Sequence, residues 1–249
     1  MISVRGVSKS FGSQVVLSRL NLEVEQGRTT TIVGPSGAGK SVLLKLIMGI
    51  LSADEGEIDV CGYSVTNASS EAEKNQIREN LGVLFQSAAL FDSLTVYDNI
   101  AFPLTQCKLQ SREQAHERVV SLARSLSLVK YLNKLPQEVS IGIRKRVGLA
   151  RALAVEPKVL LFDEPNTGLD PLVGQEVYDL IAERQKNQGF TGVVISHELP
   201  EVFQVSDRVV MLLRGKIIME GTPDDFLSTD NPEVVQFLHG YVDGPIRIQ

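Results

Sequence analysis

The string GPSGAGKS, from Gly34 to Ser41, constrains this chain more than any other segment. Gly34, four residues, then Gly39, Lys40 and Ser41 is the spacing of a loop that wraps phosphate groups. Glycines let consecutive backbone N–H groups turn inward and cradle phosphate oxygens. A lysine at the place of Lys40 reaches β- and γ-phosphates, and the Ser41 hydroxyl ligates Mg²⁺. The nucleotide-binding stretch read from the string is Gly34, Pro35, Ser36, Gly37, Ala38, Gly39, Lys40, Ser41 and Val42. An apolar strand, TTTIVG, precedes it and an apolar helix, SVLLKLIMGI, follows, so the helix adds its positive dipole end. A second string, VLLFDEP from Val159 to Pro165, is an apolar strand that ends in two carboxylates. Asp163 is read as holding Mg²⁺ through water, and Glu164 as polarising an attacking water.

Composition fits a packed α/β protein built around that site. The 249 residues suffice for one large core or two small ones, and a hydrophobic fraction of 43% is ordinary. A net charge of −5 with no basic block argues against a general nucleic-acid grip, and no nucleic-acid partner is expected. No apolar run approaches the roughly 18–20 residues that cross a bilayer. The start, MISVRGVSKS, lacks the apolar segment of a secretory signal, so a cytosolic protein is expected whose membrane role needs a partner. Cys61 and Cys107 stand apart and read as reduced, unpaired thiols.

The chain alternates strands and helices without internal repeats or long linkers. ISVRGV, QVVLSRLNLEV and RTTTIVG read as strands over residues 2–33, and Glu57–Val65 as another. Ala68–Arg78 is polar and helix-like, and Leu81–Phe85 is a short buried strand. Residues 93–135 look helical, with Ala115, Val119, Leu122 and Leu126 recurring at helical spacing. Strands KVLLFDE and TGVVISHE follow, separated by the helix VGQEVYDLIAERQKN. RVVMLLRGKIIMEG reads as a hairpin around Arg214–Gly215. Near the C-terminus, Thr222-Pro223 and Asn231-Pro232 each read as a cap followed by proline at the first helical position, with Asp225 completing a capping pattern. Val234, Phe237 and Leu238 share one face there, which docks either on the chain's own core or on a partner.

With these motifs the chain resembles the ATPase subunits of ABC transporters over nearly its whole length. Phe11 matches the aromatic that stacks on adenine, with a core aromatic of the hairpin as the other reading. Gln86, after LGVLF, matches the Q-loop glutamine that contacts Mg²⁺ and water and connects to the membrane subunit. VSIGIRKRVGLARAL, from Val139 to Leu153, matches the signature motif and its helix. GLDP, ending in Asp170 and Pro171, matches the D-loop, and His197 matches the switch histidine that senses a γ-phosphate. The other histidines, His116 and His239, read as structural.

The resemblance implies an α/β fold: an ABC ATPase nucleotide-binding domain with a RecA-like P-loop core, an N-terminal antiparallel β-subdomain and an inserted helical subdomain. It implies one ATPase domain over 1–240, with the helical subdomain at about 87–153, and a tail with short helices over 223–249. It also implies a head-to-tail homodimer that sandwiches ATP and Mg²⁺. Lys40, Gln86, Glu164 and His197 are the catalytic set; Ser41, Gln86 and Asp163 hold the metal. Ser140 and Gly142 reach the partner's nucleotide, and Asp170 links the two sites. One departure matters: Ile141 stands where the family usually has glycine. Either it crowds the closed dimer and slows or stops the cycle, or it points away and costs little. The run Arg144-Lys145-Arg146 reads as a solvated helix face, with a partner's phosphates or acidic residues as the other reading.

Within the family, GVLFQSAALFDSLTVYDNIAFPL, from Gly82 to Leu104, looks like the Q-loop region of ATPases that serve MCE/Mla-type phospholipid transporters. That likeness implies an integral-membrane permease docked through the Gln86–Phe102 region, an MCE-type substrate-binding protein in the complex, and a peripheral position on the cytoplasmic face of a bacterial inner membrane. Leu90, Phe91, Leu94, Val96 and Phe102 then line the permease groove, or else pack the insertion. The alternatives within the family are small-solute import, lipoprotein or cell-division systems, and a non-transport ABC ATPase. A P-loop kinase or GTPase is disfavoured by the signature helix, the D-loop and His197.

Overall fold

The computed structural model describes residues 1–106 and 111–247; Cys107 and the last two residues lie outside them. Two sheets organise the chain. The first is antiparallel, in the order β2 (Gln14–Val24), β1 (Ile2–Phe11), β4 (Glu55–Val60) and β5 (Tyr63–Ser64). The second has the order β10 (Lys216–Gly221), β9 (Arg208–Leu213), β3 (Thr29–Val33), β8 (Thr191–Ser196), β7 (Val159–Asp163) and β6 (Leu81–Leu84). From β9 to β6 its neighbours are parallel; only β10 is antiparallel, returning through the turn at Arg214–Gly215.

The parallel strands are covered on both faces, which is why they read as unbroken apolar runs. Successive side chains on β7 point to opposite faces. Val159 and Leu161 join one core with α1 (Lys40–Ile47) and the antiparallel sheet. Leu160 and Phe162 join the other, with α3 (Val96–Gln106), α4 (Arg112–Ser125), α5 (Ile141–Ala154) and α6 (Pro171–Gln188). Helices α3 to α5 fall between β6 and β7, as an insertion in the parallel core. Among the described residues no helix is long and apolar enough to cross a membrane.

Local caps set most helix starts. Ser70 and Glu73 form a reciprocal box at α2 (Glu71–Arg78), as do Ser111 and Gln114 at α4. Thr222 with Asp225, and Asn231, start α7 (Pro223–Leu227) and α8 (Pro232–His239) as the sequence indicates. Val234 is buried in the main core and Phe237 packs against it, so α8 docks on its own chain. The last described residues fold back too: the buried Gln236 amide donates to the carbonyls of Tyr241 and Ile246, at 3.2 and 3.0 Å.

One strand expectation is corrected. Glu57–Val65 is a hairpin, because Cys61 and Gly62 both take left-handed backbone, at φ 55° and 85°. Two such residues in succession make the turn whose twist suits adjoining antiparallel strands.

Candidate functional site

The phosphate loop springs from the end of β3. A Cβ on Gly34 would lie 2.1 Å from the Leu212 carbonyl oxygen of β9, so only glycine passes there. Lys40, at the start of α1, is buried, and its Nζ donates to the carbonyls of Gly34 at 2.6 Å and Pro35 at 3.1 Å. Burial pushes its pKa down, against the pull of the Glu164 and Asp163 carboxylates. Asp163 closes β7 beside this loop. Its carboxyl is raised, first by burial and then by Glu164, while Lys45, a hydrogen bond from Ser41, and Lys40 oppose the rise.

Glu164 is the meeting point. Its carboxylate accepts from Gln86 Nε2 at 3.0 Å and from Thr167 Oγ1 at 3.2 Å, and lies 3.0 Å from His197 Nδ1. Its amide donates to the Ile195 carbonyl of β8 at 2.9 Å. That bond continues the β7–β8 ladder while φ turns to 49°, in the left-handed region that a residue with a Cβ avoids. Strain of this kind persists where surroundings over-determine it. Here a main-chain bond and three side chains hold Glu164.

Ser140 caps α5, accepting from the Ile143 amide at 3.4 Å, and Ile141 opens the helix with 47% of its surface exposed. Gly142 lies against α6. Asp170 caps α6 through the Val173 amide at 3.1 Å and does not join the Glu164 cluster. Phe11 ends β1 with 47% of its surface exposed, so it is not a hairpin core residue. The hairpin it belongs to lies against the phosphate loop: a Cβ on Gly39 would lie 2.8 Å from Leu17 Cδ2. The structure therefore gathers Lys40, Ser41, Asp163, Glu164, Gln86 and His197. It leaves Ser140, Ile141, Phe11 and Asp170 outside that cluster.

Two readings of the sequence are corrected. Arg144-Lys145-Arg146 is not a solvated face. Lys145 is 2% exposed, Arg144 is half-buried, and Arg146 meets Glu176 at 2.5 Å. Lys145 Nζ donates to the backbone carbonyls of Gln86 and, at 3.3 Å, Glu164. Burial pushes its ammonium down to about 8, with Glu164, Asp163 and Glu198 pulling the other way. For Val96 the groove reading falls and the packing one holds: it is fully buried in the insertion, while Leu90, Leu94 and Phe102 are half-buried and Phe91 is exposed.

Sequence reasoning also passed over two buried networks. Asn99 is fully buried; its amide donates to the carbonyls of Phe91, Leu94 and Thr95, and its oxygen accepts from the Phe91 amide. It thereby fixes the loop ahead of α3. Tyr178 donates to Asn166 at 2.9 Å and contacts Ser196 at 3.2 Å, which ties the segment after Glu164 to the segment before His197. The asparagine four residues into a Thr-capped helix was the available signal for the first network. The second had none.

A parallel sheet with a glycine-rich loop of phosphate-binding spacing, an acidic strand end and a histidine against its glutamate defines a P-loop nucleotide-hydrolysing protein. The family model for ABC transporters matches residues 17–167. The chain is 36% identical over 249 residues to an intermembrane phospholipid transport system ATP-binding protein, MlaF, of Haemophilus influenzae, spanning 100% of this chain and 94% of that protein. It is 38% identical over 245 residues to a probable ribonucleotide transport ATP-binding protein of Mycobacterium leprae, spanning 98% and 70%. Among solved structures, a dimeric ATP-binding cassette in a post-hydrolysis state with ADP and Pi superposes with a TM-score of 0.81 at 28% identity, covering 90% of this chain and 99% of that one. CbiO1 of Clostridium perfringens, part of the ABC transporter complex cbiONQ, gives 0.84 at 28% identity, covering 97% and 95%. The chain belongs to the ABC transporter family, as an ATP-binding and ATP-hydrolysing subunit.

Proposed function

We propose that ATP is hydrolysed at Glu164, between the phosphate loop of one copy and the signature end of a second. The observation that carries this is the convergence of Gln86, Thr167 and His197 on one strained carboxylate beside Asp163 and Lys40. Residues 34–42 cradle the phosphates, Lys40 neutralises their charge, and Phe11 stacks on adenine. Ser140 and Gly142 serve the partner's nucleotide, and Asp170 the contact between sites. The Ser41 hydroxyl, the Gln86 amide and the Asp163 carboxylate are a hard oxygen set. A carboxyl raised by burial and by its Glu164 neighbour suits a divalent cation. Mg²⁺ bound there would neutralise phosphate charge. Glu164 takes up the proton of the attacking water, while Gln86 and His197 hold the carboxylate in line. Replacing Glu164 by Gln removes the base: turnover falls about 10²–10⁴-fold while ATP still binds and traps a dimer. Near wild-type hydrolysis would overturn the assignment.

Residues 1–240 form the ATPase domain in this reading, with the helical subdomain at about 87–153, and 223–249 are the tail. The chain drives an integral-membrane permease that docks at the Gln86–Phe102 region, with an MCE-type protein in the complex, on the cytoplasmic face of a bacterial inner membrane. Phospholipid is the cargo, because the MlaF likeness spans the whole chain. Tagged chain drawn from its own membranes is expected to bring a permease, an MCE-type protein and phospholipid. Leu94→Asp is expected to come alone with ATP binding intact. A permease retained by that variant would make Leu94 ordinary packing, and a complex free of lipid would redirect the cargo.

A further inference from the structure

Helix α5 turns one face toward the loop that carries Gln86. Lys145, Gly148 and Arg151 recur every three residues and lie along that face. The Lys145 ammonium bonds the Gln86 and Glu164 carbonyls. A Cβ on Gly148 would meet Leu84 Cδ1 at 2.7 Å and Ala88 Cβ at 3.1 Å, so helix and loop touch. The Arg151 guanidinium donates to the carbonyls of Ala88 and Ala89, at 2.8 Å each. Those two alanines hold φ of 62° and 44°, a left-handed pair in residues that avoid it. The loop is thus pinned in a strained shape by donors from a single helix.

A buried lysine satisfied by two carbonyls is ordinarily packing. Here the two carbonyls belong to residues whose side chains meet each other at 3.0 Å across a separation of 78 positions. A buried ammonium is costly, and an apolar side chain would fill the space at less cost. What the ammonium adds is a fixed point shared by both backbones. We propose that Lys145 is a positioning residue for hydrolysis: it sets Gln86 against Glu164 and ties both to the helix capped by Ser140. A displacement of α5 then reaches both side chains together. The proposal rests on Glu164 being the water-polarising base.

The test uses the full chain with Lys145→Met, Lys145→Gln and Lys145→Arg, and Glu164→Gln alongside. Hydrolysis is followed against ATP concentration, and ATP binding is measured separately. Methionine keeps the bulk of the stem and removes the donors. Its kcat is expected to fall about 10²-fold, the scale of a misplacement near 1 Å, while KM and ATP binding stay within about threefold. Arginine, which keeps charge and donors, is expected to recover part of the loss, with glutamine between. Wild-type kcat in Lys145→Met overturns the proposal. So does ATP binding lost in step with kcat, or an arginine variant no faster than methionine; either makes Lys145 a packing residue. Should the methionine variant not fold, glutamine decides: reduced kcat at constant KM supports the role, and wild-type kcat overturns it. Wild-type hydrolysis by Glu164→Gln removes the parent reading instead, whatever the Lys145 variants do.

Discussion

Two buried lysines feel the Asp163–Glu164 pair, and they are held in opposite ways. Lys40 bonds carbonyls five and six residues before it, within one loop. Lys145 bonds carbonyls 59 and 19 residues away, on two other segments of the fold. Burial lowers both, and both keep the attraction of Asp163 and Glu164. The first is part of a short string whose chemistry is complete in itself. The second acquires its role only when α5 packs against β6, β7 and the Gln86 loop. Local motifs supply the groups proposed to meet phosphate, and tertiary packing supplies the groups that hold those groups still.

The two lysines are expected to differ most in ATP affinity. Lys40→Ala removes the proposed charge-assisted contact to phosphate, worth about 1.5–3 kcal/mol, so the ATP dissociation constant is expected to rise roughly 10–150-fold. Lys145→Met is expected to leave it nearly unchanged, since Lys145 acts through backbone carbonyls. Equilibrium titration with a fluorescent ATP analogue measures both. Equal weakening in the two variants would erase the distinction, and unchanged affinity in Lys40→Ala would count against the phosphate loop itself.

The same divide governs what was legible in the sequence. The strands, the phosphate loop, the Asp163-Glu164 strand end and the caps at Ser140, Thr222 and Asn231 follow from spacing and residue type within a few positions. The parallel core reads correctly because its strands are covered on both faces and so are continuously apolar. Glu57–Val65 misleads because Cys61 carries a side chain into a left-handed turn that usually advertises itself with Asn, Asp or Gly. Val96 reads equally as groove or as insertion packing in sequence, and the start of α3 turns it inward. Lys145 hides in a basic triplet: a run of charges predicts solvent, but consecutive residues on a helix point about 100° apart, so one of three faces the core. Asn99 bonds residues four to eight positions before it, a local pattern its place in a Thr-capped helix signals, whereas the Tyr178–Asn166 pair is joined only by the packing of α6 against the core.

The start of α5 is expected to contribute a smaller effect. Two positions there are usually glycine in the family, and this chain keeps one of them. The retained Gly142 is the one packed against its own fold, where a Cβ would meet Val173 Cγ1 at 2.7 Å and the valine would have to give way. Ile141 takes ordinary helical backbone, outside the left-handed region, and 47% of it faces solvent. It strains nothing within its own chain, so any effect must come from what docks against it. In the proposed dimer that is the second copy with its nucleotide. If the side chain hinders closure, the closed dimer is less populated at a given ATP concentration, because a ligand shifts an equilibrium only by its differential affinity. About 1.4 kcal/mol of crowding lowers that population roughly tenfold while closed dimers are scarce. Ile141→Gly is therefore expected to raise ATP-dependent dimerisation and hydrolysis by up to about tenfold, with little change in the ATP affinity of the single chain. ATP titrations of hydrolysis and of dimer formation, run side by side for the wild type and the variant, measure this. Coincident curves would mean that the isoleucine finds room at the interface and that Gly142 alone carries the constraint at this helix start.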